Sequence, residues 1–173
     1  PPLTVTPEDF HDVDAIYISH VHHDHCDLET LKRLRKSTPV YIAPYADDFL
    51  RTMLAGRGYT VHVLRHGQPV TLAADFTLEI VAADSCDPEA CGRWMGCSIV
   101  DALHGVSHQI DSLAVFRGGG RTVVNVNDCP YLLAKPALER IAASGPVDLA
   151  MTSYSGASAY PHCFPQYDTE TMV

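Results

Sequence analysis

Residues 15–28 read AIYISHVHHDHCDL, and this stretch decides how the rest of the sequence is to be read. Residues 15–19 are apolar, β-branched or aromatic up to the closing Ser19, as in a buried strand. The run stops at His20, and four of the chain's ten histidines (His20, His22, His23 and His25) fall within six residues, with Asp24 among them. Asp27 can cap a helix that carries Leu28, Leu31 and Leu34 on one stripe. The order is therefore strand, histidine loop, helix.

The pattern H-x-H-x-D-H has a chemical reading. Alternate residues leaving a strand point the same way, so His20 and His22 can chelate one metal, while a tight turn swings Asp24 and His25 toward a second. His23 is left as a histidine that supports the ligands or is merely structural. Imidazole and carboxylate ligands suit zinc, iron or manganese. Two divalent ions about 3.5 to 4 Å apart can share a water, lower its pKa and clamp a substrate oxygen. The plain alternative is a surface histidine tract, but such a tract needs neither a buried strand before it nor a capped helix after it.

Outward from the loop, residues 39–43 and 60–64 read as strands flanking a helix over 46–55, with Phe49, Leu50, Met53 and Leu54 inward. This alternation predicts a βαβαβ half with its sheet covered by helices. Residues 70–72 and 76–82 are two further strands, and 112–116 and 122–126 form a hairpin about Gly118-Gly119-Gly120. Residues 84–111 show no periodicity and read as a functional excursion. A helix over 136–143, a buried strand over 148–152 and a loop over 153–166 complete the chain.

Other ligands must come from strand ends. His108 lies four residues before the strand at 112 and is favoured over His104 on that spacing. Asp128 closes the apolar run 123–126, where a carboxylate could bridge two metals or simply cap the turn before Pro130.

The 173 residues are 46% apolar and 19% charged, the composition of a globular chain able to bury a core. Twelve basic against 21 acidic residues give a net charge of −9, which disfavours a nonspecific nucleic-acid binder. The basic segment from Lys32 to Lys36 reads as the solvated last turn of a helix. No run of about 18 apolar residues exists to span a membrane, and a cytoplasmic location is the default. Six cysteines match neither a disulfide framework nor a zinc ribbon.

Together, H-x-H-x-D-H at 20–25, a histidine before the strand at 112–116 and Asp128 at a strand end make the chain resemble the metallo-β-lactamase superfamily. The resemblance implies an α/β fold, an αββα sandwich with metals at one edge of the sheets. It also implies several N-terminal strands before the first motif that this segment lacks, so residues 1–173 read as a single partial domain. ISHVHHDHCDLETLKRL (18–34), DSLAVFRGGGRTVVNVNDC (111–129) and MTSYSGASAYPHCF (151–164) are most similar to the branch of ascorbate-phosphate lactonases, acylethanolamine-releasing phospholipases and CMP-N-acetylneuraminate hydroxylases. The family's last histidine ligand has one candidate here, His162. The C-x-H and C-x-x-H pairs of a Rieske cluster, which the hydroxylases also carry, do not occur.

The resemblance implies a metal-dependent hydrolase. Its metal ligands are His20, His22, Asp24, His25, His108 and Asp128, and Asp24 also orients the nucleophilic water against an ester, lactone or phosphodiester. Its cofactors are two divalent ions (zinc, iron or manganese), and its partner is a small polar or anionic substrate. An iron-dependent oxygenase on the same ligands, or a non-catalytic domain with a residual metal site, are the alternatives.

Overall fold

A computed structural model describes residues 5–21, 24–45, 48–82, 112–129 and 131–152. The first sheet is β1 (Ile16–Tyr17), β2 (Val40–Ile42) and β3 (Val61–Val63), parallel and in that order. Parallel neighbours need crossover connections, and α1 (Leu28–Arg33) and α2 (Phe49–Ala55) supply them. A second sheet runs β4 (Val70–Ala73), β5 (Phe76–Ala82), β6 (Ser112–Gly118), β7 (Arg121–Asn127) and β8 (Leu149–Thr152). It is antiparallel except at β7 and β8, which are parallel and joined through α3 (Tyr131–Ala143).

Side chains alternate across a strand, so each sheet has two faces to bury. Ile16, Ile18, Val40 and Ile42 of the first sheet meet Leu31, Leu50 and Leu54 of the helices. Tyr17, Tyr41 and Ala43 turn the other way and pack on Leu78, Ile80, Ala114 and Phe116 of the second sheet. The far face of that sheet, Val81, Leu113, Val115, Val124 and Val126, receives Ala134, Ala137, Leu138 and Ile141 of α3. Three apolar interfaces thus stack four layers in the order α, β, β, α. Fully burying each large aliphatic side chain contributes about 1.5–3 kcal/mol.

Two features secure the second sheet. The hairpin between β6 and β7 turns on Gly119 and Gly120, both at positive φ (55° and 72°), as a two-residue turn matching the strand twist requires. Glu79, 5% exposed on the face toward α3, is held by Arg117 Nη1 at 3.0 Å and Arg140 Nη2 at 2.9 Å, so a buried carboxylate has charge partners from strand and helix.

Four details depart from the sequence expectations. Phe49 is 60% exposed instead of inward; it stands in the first turn of α2, beside the buried stripe of Leu50 and Leu54, and lines an open groove with Val21, Leu28 and Met53. β8 is exposed along its whole length instead of buried; it lies at one end of its sheet, with β7 as its described neighbour. The last helix starts at Tyr131, with Pro136 inside it. That proline removes one hydrogen bond, while the apolar stripe that seats the helix begins before it, at Ala134. Lys36 lies beyond the end of α1, where its ammonium caps the Leu31 carbonyl at 2.6 Å and sits 4.1 Å over the Tyr59 ring.

Among the described residues no helix is long and apolar enough to cross a membrane. Cys26 is a buried free thiol, and Cys129 is buried as well.

Candidate metal centre

Ile18 extends the pairing of β1 past its end, its amide donating to the Tyr41 carbonyl. His20 therefore leaves the sheet edge in a fixed direction, with 1% of its surface exposed. The chain returns at Asp27, whose carboxylate accepts from the amides of Glu29 and Thr30 and starts α1. Within this short excursion the His20 and His25 rings come to rest with centroids 4.3 Å apart, tilted by 34°.

Asp128 arrives from the other sheet. Asn127 ends β7 at φ 53°, the one described non-glycine residue with positive φ, a conformation that asparagine tolerates better than most residues. The strand is thereby turned, and the Asp128 Oδ2 atom comes within 3.0 Å of His25 Nε2 and 4.0 Å of His20 Nε2. One ligand atom from each of these three residues lies within 4.8 Å of the others. Asp24 is 77% exposed, with Oδ2 3.6 Å from His25 Nε2.

Beneath the cluster lies a hydrogen-bonded layer between the two sheets. Ser19 Oγ is 3.0 Å from His20 Nδ1 and 3.5 Å from His25 Nδ1. Ser112, fully buried at the start of β6, donates its hydroxyl to the Ser19 carbonyl at 3.0 Å. Tyr17 donates to the Ser112 carbonyl at 2.9 Å, and the Asn127 side-chain amide donates to that same carbonyl at 3.2 Å. Tyr45 reaches Ser112 Oγ at 3.2 Å.

Of the residues singled out in the sequence, the structure brings together His20, His25 and Asp128, with Asp24 at the rim. His22, His104, His108 and His162 lie outside the described residues. Cys26, next in sequence to His25, is buried, and burial pushes its thiol pKa up, against a smaller downward pull from Arg57. Sequence reasoning passed over Ser19, Ser112, Tyr17 and Asn127. Ser19 had a signal, a hydroxyl immediately before the first histidine; the other three act through a contact between sheets that no local pattern encodes.

The donor set fits a divalent cation. Ligand atoms about 2.1 Å from a tetrahedral ion stand roughly 3.4 Å apart, between the 3.0 and 4.0 Å that separate the carboxylate oxygen from the two Nε2 atoms. The set holds two imidazoles and a carboxylate and no thiolate, a combination open to zinc, iron and manganese.

Comparison with known proteins agrees with this architecture. Residues 1–153 match the family described as Beta-lactamase superfamily domain. No curated protein matches the chain. Among solved structures it is similar to an isothiocyanate hydrolase from Delia radicum gut bacteria, at 18% identity and a TM-score of 0.57, over 80% of this chain and 49% of that one. A mutant of the CmlA beta-hydroxylase is similar at 18% identity and a TM-score of 0.56, over 91% of this chain and 29% of that one. The metallo-beta-lactamase fold protein YhfI from Bacillus subtilis matches at 20% identity and a TM-score of 0.49, over 85% of this chain and 52% of that one. The chain spans about half the length of the first of these structures and less than a third of the second. With a family match across most of its length and two sheets packed face to face between helices, the chain belongs to the β-lactamase superfamily and has the metallo-β-lactamase fold.

Proposed function

We propose that this chain carries the metal centre of a hydrolase acting on an ester, lactone or phosphodiester of a small polar or anionic metabolite. The observation that carries the proposal is the convergence of His20, His25 and Asp128 from two different sheets. In this reading His20, His22, Asp24, His25, His108 and Asp128 would together hold two divalent ions. A divalent ion in such a site supplies a lowered pKa for water and a positive charge for a substrate oxygen.

The residues around that chemistry have separate tasks. Asp24, exposed at the rim, accepts a hydrogen bond from the attacking water and orients it. The burial of Ser19, His20 and Ser112 keeps bulk water from the inner side of the ligands. Despite the net charge of −9, the mouth of a loaded site is locally positive and favours a small anion.

A second reading, an iron-dependent oxygenase on the same ligands, is favoured by the likeness in fold to the CmlA beta-hydroxylase and by the sequence likeness of residues 18–34, 111–129 and 151–164 to the hydroxylase branch. The two readings separate in one experiment on the protein at its natural length, purified without oxygen and assayed for metal and turnover. Two zinc or manganese ions per chain with oxygen-independent hydrolysis are expected. Two irons with oxygen consumption would replace the first reading by the second, and less than about 0.2 equivalents of any metal would overturn both.

A further inference from the structure

Ser19 occupies a position that the ligand pattern does not use, and it touches both histidines of the cluster. Its side chain is buried, at 4% exposure, and its one oxygen faces His20 Nδ1 at 3.0 Å and His25 Nδ1 at 3.5 Å. The Nε2 atoms of both rings consequently face the Asp128 carboxylate. A hydroxyl oxygen has two lone pairs and can accept a hydrogen bond from each ring. An imidazole protonated on Nδ1 keeps its lone pair on Nε2, where a cation needs it. The Ser19 backbone is held as well, because its carbonyl accepts the hydroxyl of Ser112 across the sheet interface.

We infer that Ser19 is the positioning residue of the metal centre: one hydroxyl oxygen accepts Nδ1–H from both His20 and His25, setting the tautomer and rotation of two ligands at once. The inference rests on the proposed metal centre and adds a member to it. Hydrogen-bonded partners of this kind, when removed, typically cost a site about 10–100-fold in metal affinity.

The test compares the parent chain with Ser19→Ala and Ser19→Thr in zinc affinity, by competition with a chromophoric chelator. Imidazole nitrogen chemical shifts of the metal-stripped proteins give an independent readout. The parent is expected to show both rings as Nδ1–H tautomers. Ser19→Ala is expected to mix the tautomers and to bind zinc about 10–100-fold more weakly, with thermal unfolding of the metal-free chain little changed, whereas Ser19→Thr restores both. A merely structural serine would move the unfolding transition and leave the tautomers alone. A parent that binds zinc and a Ser19→Ala variant that binds it within about twofold, with unchanged nitrogen shifts, overturn the inference alone. A parent that fails to bind zinc overturns the metal centre and the inference with it.

Discussion

His25 Nε2 stands 3.0 Å from the Asp128 carboxylate, although His25 follows a strand of the parallel sheet and Asp128 follows a strand of the other. A cation placed between the two would take the nitrogen lone pair on one side and the carboxylate on the other.

Asp128→Asn keeps the shape of the side chain and removes its charge. The variant is expected to lose about 100-fold or more in zinc affinity while its far-ultraviolet circular dichroism stays that of the parent. His22→Ala is expected to do the same, and His66→Ala to change neither. Equilibrium dialysis with elemental analysis decides the matter, and equal losses in all three variants would refute the ligand assignment.

Metal binding should also be visible as stability. A ligand at about 100 times its Kd stabilises the folded state by about 2.7 kcal/mol, which for a chain of this size raises Tm by roughly 5–10 °C. Zinc is expected to produce that shift in the parent, a chelator to reverse it, and Asp128→Asn to show none. Scanning calorimetry with and without zinc is sufficient, and an equal shift in the variant would place the ion elsewhere.

Glu79 is the buried charge whose partners can be removed from either side. Glu79→Gln leaves Arg117 and Arg140 facing a neutral amide; because both arginines keep contact with solvent, the expected loss is about 1–3 kcal/mol, below that of a fully buried pair. Urea unfolding measures it, and a variant as stable as the parent would show that the ion pairs contribute nothing net.

The exposure of Phe49 predicts a contrast within the apolar residues. Ile80→Ala, at a fully buried position between the sheets, is expected to cost about 2–5 kcal/mol. Phe49→Ala is expected to stay within about 0.5 kcal/mol of the parent. Comparable losses would mean that the groove lined by Phe49 and Val21 is filled in solution.

Acid should act at the join between β7 and β8. Asp148 accepts from Arg121 at 2.6 Å and from the Thr122 amide at 2.8 Å; the Arg121 hydrogen bond and then the Thr122 amide hold its carboxyl below the usual aspartate pKa. A depressed folded pKa contributes stability that is complete above the unfolded value, about 3.9, and lost as pH falls through the folded one. Asp148→Asn is therefore expected to flatten the fall of Tm with acid below about pH 4. An unchanged slope would show that this carboxylate does not contribute to acid sensitivity.

Much of this was legible before any coordinates. The strand, the histidine loop and the Asp27-capped helix follow one another in the sequence as they do in space, because each is written in local signals: β-branched residues, clustered ligands, a capping carboxylate. In space the alternation is plain in β2, where Val40 and Ile42 pack with the helices and Tyr41 with the second sheet. Residues whose surroundings are set by distant chain could not be read in this way. Leu149 and Met151 look like core residues, yet they are exposed, on the strand at one end of its sheet. The pairing of Ser19 with Ser112 depends on how two sheets face each other, which neither neighbourhood encodes. The sequence reading starts the last helix at Pro136, but the helix begins at Tyr131 and packs on the sheet from Ala134 onward.

The hydroxyl of Ser112 and the carboxylate of Asp128 are both reached across the gap between the sheets. An ion gripped by His20, His25 and Asp128 would act as a rivet through a seam, joining two half-structures that otherwise meet through side-chain packing and a few hydrogen bonds. Shear between the sheets and loss of the ion then become one event. Amide exchange at the ends of β1 and β7 should slow together when metal is added, leaving the glycine hairpin at the far end of β6 to breathe at its own rate.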